Sequence, residues 1–145
     1  MMIREINADD FEKLSDLYMQ LHHNKPIEKN EANLKLFNDI LNDRNHHIIV
    51  IEKDGKIVSS CVCVIVLYLT HNQQPYAVIE NVITDKAYRK QGLASQCLEY
   101  AKTIALQNNC YKMMLLTGSK KRSTHRFYQK NGYNKFEKTG YIQRL

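Results

Sequence analysis

Residues 82 to 98, Val82-ITDKAYRKQGLASQC-Leu98, decide how this chain folds. The opening residues close an apolar, β-branched run that starts at Tyr76 and predicts a strand over 76–84. A polar turn containing Arg89 and Gly92 follows. Leu93, Cys97, Leu98, Ala101, Ile104 and Ala105 then recur at helical spacing as far as about Asn108. A strand that runs through a short turn into a helix leaves the first N–H groups of that helix without intrahelical partners, at the positive end of its dipole. Such a junction holds a phosphate or pyrophosphate without a metal. Gly92 and Ala94 are small enough to let an anion approach the backbone. The spacing is neither that of a P-loop nor that of the three-glycine dinucleotide fingerprint.

Downstream, Tyr111 to Thr117 predicts a buried strand, Ser123 to Lys130 a short helix closed by Asn131-Gly132, and Asn134 to Gln143 a last strand with Gly140 inside it. Upstream, His47 to Glu52 and Ile57 to Thr70 flank the turn signal Asp54-Gly55 and predict a hairpin with a long second strand. Ile3 to Ile6 predicts an edge strand. Asp9 and Glu12 have the spacing of a capping box for a helix over about 9–22, and Ala32, Leu36, Phe37, Ile40 and Leu41 mark a second helix over about 28–41. The order β-α-α-β-β-β-α-β-α-β implies an α/β chain with a mixed sheet covered on two faces.

The 145 residues contain no Pro/Gly/Ser-rich linker and no repeat, so a single domain over 1–145 is expected. At 43% hydrophobic and 25% charged, the composition excludes collagen-like and wholly disordered chains. The longest apolar run, Cys61 to Leu69, is about half of what a bilayer-crossing helix needs. The acidic residues Glu5, Asp9 and Asp10 interrupt any signal-peptide profile, and a cytoplasmic protein without a membrane partner is expected. Cys61, Cys63, Cys97 and Cys110 do not have zinc-site or disulfide-framework spacing and read as core; no metal is expected. The formal charge of +6 favours an anionic partner. The cations are thickest at Lys86 to Lys90 and Lys120 to Arg126, but no nucleic-acid module accompanies them.

Arg89-Lys90-Gln91-Gly92-Leu93-Ala94 after a strand, followed downstream by Phe127-Tyr128-Gln129-Lys130-Asn131-Gly132-Tyr133, resembles the GNAT superfamily of acetyl-CoA-dependent N-acetyltransferases. The resemblance is strongest over 76–136 and extends loosely to Ile3-Arg4-Glu5-Ile6. It implies a mostly antiparallel sheet of six to seven strands with helices on both faces, in which two central parallel strands splay apart around the thioester. The main-chain amides of Lys90, Gln91, Gly92, Leu93, Ala94 and Ser95, beside Arg89, would hold the coenzyme A pyrophosphate. Val82, Ile83 and Thr84 would offer backbone groups to the pantetheine arm. Tyr128 matches the tyrosine that many relatives place near the thioester sulfur. Many relatives carry an asparagine before the aromatic pair; here Ser123, Thr124 and His125 are the candidates to replace it, and the sequence does not choose among them. Arg126, with Lys120, Lys121 and Arg122, would meet the 3′-phosphate if these cations flank the cofactor cleft.

Transfer to a protonated amine needs one group to take a proton and another to give one to the departing thiolate. Strand period two puts Tyr76, Val78, Glu80, Val82 and Thr84 on one face, and Glu80 is the only carboxylate of that strand. Relatives often place a glutamate there as a base or to position a water, and burial among apolar strand residues would favour the role of base. Tyr128 is the corresponding acid, and a backbone N–H near Val82 would meet the oxyanion. His22 and His23 are candidates to line the acceptor pocket, with His125 a further candidate at the cleft.

The reaction expected is direct attack of a small-molecule primary amine on acetyl-CoA. A protein or peptide amino group as acceptor, and a non-catalytic acyl-CoA-binding module, are the competing readings. The apolar strand over 57–70 is compatible with a homodimer interface.

Overall fold

The computed structural model describes residues 1–21 and 25–145; His22 and His23 lie outside the described residues. Strands β1 (Met2–Glu5), β2 (His46–Lys53), β3 (Lys56–Val66), β4 (Tyr76–Thr84) and β5 (Met113–Leu115) form one sheet in sequence order. The pairs β1·β2, β2·β3 and β3·β4 are antiparallel, and β4·β5 is parallel. Helices α1 (Phe11–Tyr18) and α2 (Glu31–Asn42) cover one face, α3 (Leu93–Gln107) covers the other, and α4 (Arg122–Lys130) follows β5.

Alternation along β2 explains the two layers. Ile48 and Val50 pack with Phe11, Leu14, Leu17 and Phe37, while Ile49 and Ile51 pack with Cys97, Leu98, Ala101 and Ile104 of α3. The Phe11 and Phe37 rings meet edge-on at 5.4 Å and join α1 to α2. The three cysteines Cys61, Cys63 and Cys97 are buried, as expected for core residues. Burial pushes the Cys63 thiol up to about 12, far from reactive thiolate character at neutral pH.

The capping box belongs to a turn at Ala8–Asp10 that leads into α1, earlier than the Asp9/Glu12 spacing suggests. Asn7 Oδ1 accepts from the Asp9 amide at 2.9 Å, and Asp10 Oδ2 accepts from the Asn7 amide at 2.8 Å. Arg4 decides this. Its guanidinium donates to both oxygens of Asp10, at 2.6 and 3.0 Å, and so anchors a carboxylate that is only 1% exposed. Arg4 also reaches Glu52, which accepts from Lys13 at 2.8 Å, and the network ties the helix start to β1 and β2. The second helix likewise begins later than 28, where Asn30 Oδ1 accepts from the Asn33 amide at 2.8 Å.

Two strand expectations are corrected. β3 ends at Val66 rather than Thr70; Ile57 to Cys63 are buried in the chain's own core, while Leu67 and Leu69 beyond the strand are exposed. The segment Asn134 to Gln143 forms no strand, so the sheet has five strands rather than six or seven. Its apolar residues Phe136, Tyr141 and Ile142 do not share a period-two face, Gly140 interrupts them, and no register along β5 is specified. All three side chains are exposed.

Candidate functional site

Opposite Cys61, strand β4 carries an extra residue. Val62 pairs with Glu80 and Ser60 with Ile83, so Asn81 and Val82 together span the place of one partner. Asn81 takes φ 49°, the left-handed region, in the middle of the strand. The bulge reverses the alternation. Glu80 shares the α1–α2 face with its cross-strand partner Val62, whereas Val82 packs against the α3 core and Ile83 returns to the α1–α2 core. Glu80 and Val82 therefore project to opposite faces, which corrects the expectation of a common one. Glu80 is also exposed, so the burial expected of its carboxylate is absent.

The parallel ladder stops at the same point. Its last pair is Ile79 with Leu115, and from Glu80 onward β4 has no strand partner on the β5 side. The splay leaves Val82, Ile83 and Thr84 beyond the last β4·β5 pair, and the Ile83 carbonyl accepts from Ser59 Oγ at 3.1 Å. Thr84 is steadied from the other side, its hydroxyl 2.8 Å from that of Ser59. Ser59 in turn accepts from Cys97 Sγ of α3 at 3.7 Å.

Beyond β4 the chain turns at Lys86–Tyr88 and enters α3. Lys90 and Gly92 both take left-handed φ, 62° and 76°, on either side of Gln91. The first helical backbone bond runs from the Gln96 amide to the Gly92 carbonyl, so the amides of Leu93, Ala94 and Ser95 have no helical acceptor. No side chain caps Gly92 and no acidic residue occupies the first turn. A Cβ built on Gly92 would meet nothing within 4 Å, so the turn is open at that position. Arg89 Nε donates to the Thr84 carbonyl at 3.1 Å, which draws the guanidinium back toward the end of β4. Arg89, Lys90, Gln91 and Gly92 are exposed, whereas the Leu93 side chain lies in the core and leaves only its amide to the turn.

On α4, Tyr128 is half-buried, with its ring 5.0 Å from Phe127 and edge-on to Tyr133 at 6.1 Å. Burial raises its pKa, and the fields of Cys61 and Glu80 add to the effect, so its hydroxyl stays protonated at neutral pH. Ser119 organises the approach to α4. Its hydroxyl donates to Thr124 Oγ1 at 2.9 Å, and its carbonyl lies 2.8 Å from His125 Nε2. Thr124 and His125 are thereby engaged, while Ser123 is exposed and makes no side-chain hydrogen bond among the described residues. Arg126 lies with Lys120, Arg122 and Lys135 around a recess of about 400 Å³. A larger cleft of about 640 Å³ opens between β5, the second half of α3 and the residues beyond α4; Tyr128 borders it, but nothing from β4 or the Gly92 turn does.

Sequence reasoning missed Asn81 and the Tyr18 hydroxyl. The Tyr18 hydroxyl is buried beside Ser60 and Asn81 without a well-aligned hydrogen bond, and burial raises its pKa. Tyr18 reads as an ordinary core position of the α1 stripe, and only the bulge reveals what lies opposite it. His47 sits at the start of β2 with Nδ1 2.6 Å from Glu5 Oε1, away from this region. Among the described residues no cluster of His, Cys, Asp or Glu has the makings of a metal site.

The model of the Acetyltransferase (GNAT) family matches residues 3–133. A solved structure from Agrobacterium tumefaciens, of a protein ascribed acetyltransferase activity, is 33% identical, covers 100% of both chains and superposes with a TM-score of 0.93. A transcriptional regulator from Bacillus halodurans, 24% identical over 99% of each chain, shares the fold at a TM-score of 0.86. So does glucosamine-6-phosphate N-acetyltransferase from Arabidopsis thaliana, 23% identical over 99% of this chain and 97% of that one, at 0.85.

Proposed function

The chain belongs to the acetyltransferase (GNAT) family, an acetyl-CoA-dependent enzyme that acetylates an amine, and from that premise we propose a small-molecule primary amine as the acceptor. One observation carries the assignment of the site. The β4 bulge and the end of the β4·β5 ladder coincide over Ile79 to Val82.

In this reading the amides of Lys90 to Ser95 hold the pyrophosphate, with Arg89 and Lys90 supplying positive field. Val82, Ile83 and Thr84 bind the pantetheine arm along the edge that β5 abandons. Ser123 stands in for the asparagine of many relatives, because Thr124 and His125 are occupied by Ser119. Arg126 meets the 3′-phosphate. The amine nitrogen attacks the acetyl carbon while a backbone N–H at the bulge, near Val82, stabilises the developing oxyanion. The ammonium proton leaves to Glu80 through water, since the exposed carboxylate is open to solvent. As the C–S bond breaks, the Tyr128 hydroxyl gives its proton to the sulfur. Glu80 and the Tyr18 hydroxyl both belong to the α1–α2 side of the sheet, which makes that side the amine's approach and leaves the other to the coenzyme.

Coenzyme release from acetyl-CoA, followed with a thiol reagent, tests the proposal. Low-molecular-weight primary amines should support turnover and lysine peptides should not. Turnover with peptides alone would reassign the acceptor, and tight acetyl-CoA binding without turnover on either panel would make the chain a binding module.

A further inference from the structure

We propose that Tyr18 is a positioning residue for acetyl transfer, whose hydroxyl holds the Asn81 carboxamide across the β4 bulge and thereby aims the Val82 N–H at the developing oxyanion. This rests on the placement of the oxyanion at the bulge given above. The fold buries one polar group there without using it. The Tyr18 hydroxyl has no well-aligned hydrogen bond, although a buried hydroxyl ordinarily has one. The groups beside it are the side chains of Ser60 and Asn81, and these two belong to the bulge itself. Ser60 pairs with Ile83 at one side of the register shift, and Asn81 is the left-handed residue within it.

The donors and acceptors give the three groups a direction. Ser60 is fully buried and its hydroxyl already donates to the Ile49 carbonyl at 2.8 Å, so toward Tyr18 it can only accept. Burial raises the Tyr18 pKa, which keeps the phenolic proton in place to be given. With that proton directed to Ser60 Oγ, the phenolic oxygen is the acceptor for Asn81 Nδ2. Asn81 is exposed, so a turn of its carboxamide brings one N–H inward and completes the chain when coenzyme is bound.

The consequence falls on the reacting centre. The Val82 N–H lies in the rigid peptide plane that joins Asn81 to Val82, so the backbone angles of Asn81 set its direction. Asn81 takes φ 49°, a conformation that an L-residue keeps only where its surroundings fix it. Tyr18 is a fixed point from which to do so. It ends α1, whose Leu14 and Leu17 are buried, and two residues on Gln20 Oε1 accepts from the Lys86 amide at 3.0 Å, which ties the same end of the helix to the turn after β4.

Steady-state kinetics of Tyr18→Phe, Asn81→Gly and the double variant test this, together with NMR of the Asn81 carboxamide in the coenzyme A-bound protein. Phenylalanine keeps the ring against the α1–α2 core, and glycine takes φ 49° without strain, so each variant should fold. Y18F should lower kcat ~10- to 100-fold with the KM for acetyl-CoA unchanged, the scale of a misaimed oxyanion donor. N81G should lose about as much, and adding Y18F to N81G should cost nothing further. One Asn81 Nδ2 proton should exchange slowly in the wild type and at the ordinary rate of an exposed carboxamide in Y18F, with N81G assigning the signal. Wild-type kcat in Y18F overturns the proposal, as does a further loss of about tenfold in the double variant or carboxamide exchange indifferent to Y18F. The NMR needs no turnover, so the two levels fail separately. Ordinary carboxamide exchange in a fully active wild type removes the role of Tyr18 alone, whereas coenzyme binding without turnover on any amine removes the transfer reading and that role with it.

Discussion

Replacing Gly92 by valine probes the anion site most directly. The native φ of 76° is a conformation that costs an L-residue roughly 1–2 kcal/mol, and more for a β-branched one. No neighbour lies within 4 Å of the new Cβ, so this strain is the whole steric penalty in the free protein. For a chain of this length it corresponds to a fall in Tm of about 3–8 °C, leaving a folded protein to assay. The effect on coenzyme A should be larger. The new side chain stands at the turn just before the amides of Leu93, Ala94 and Ser95, or else the turn relaxes and re-aims them. Losing two charge-assisted hydrogen bonds costs about 3 kcal/mol or more, which is over ~100-fold in Kd.

Calorimetric titration with coenzyme A measures this, and pantetheine, which lacks the pyrophosphate, provides the internal control. Coenzyme A affinity should collapse in G92V while the weak binding of pantetheine changes little. K90G makes the opposite case, since glycine relieves the 62° φ of Lys90 and should stabilise the protein by about 0.5–1 kcal/mol. Wild-type affinity for coenzyme A in a folded G92V protein would refute the placement of the pyrophosphate at this helix.

Tyr128→Phe keeps the stack with Phe127 and Tyr133, so fold and coenzyme affinity should persist while kcat falls ~10- to 1,000-fold, read by thiol release; full activity would leave the ring a packing group. Glu80→Gln should slow transfer to a strongly basic amine more than to an aromatic amine that is already neutral, and equal losses with both would make Glu80 a positioning group. Asp10→Asn leaves Arg4 facing an uncharged partner in a site only 1% exposed, and should cost about 2–4 kcal/mol in urea unfolding. Burial alone would push the Asp10 carboxyl up, but the Arg4 guanidinium and the Asn7 amide bring it below its ordinary value. Its contribution is therefore present above the unfolded pKa near ~3.9 and disappears as pH falls through the lower folded value; urea midpoints between pH 2 and 6 should show this loss in the wild type and a flatter profile in D10N.

Much of the architecture was legible because it rests on local signals. The strand Tyr76–Thr84, the helix from Leu93 and the short helix ending at Lys130 each follow from period, turn chemistry and a glycine or asparagine at the boundary. The helix start at Gly92 was legible for the same reason, since amides without helical acceptors are a property of the chain there alone. The helix cap was not. It was decided by Arg4 and Glu52, which lie on neighbouring strands far apart in sequence. The missing last strand was hidden because apolar content around Phe136, Tyr141 and Ile142 reads as strand, whereas pairing needs a common face and an edge long enough to set a register.

The bulge at Asn81 is the least legible feature and the one on which the chemistry turns. Period-two counting assumes an unbroken ladder, and nothing in Glu80-Asn81-Val82 announces an extra residue; asparagine merely tolerates the left-handed φ that one requires. With perfect alternation, Glu80 and Val82 would point the same way, toward the side opposite α3, and the carboxylate would share its side with the pantetheine segment. The inserted residue separates them. Glu80 stays on the face that α1 and α2 cover, with the Tyr18 hydroxyl near the same bulge, while Val82 and Thr84 turn to the face of α3. A single residue thus gives one strand two chemically distinct sides just where its parallel neighbour leaves it. The proposed transfer uses both sides, with the amine reaching the bulge from one face and the coenzyme from the other.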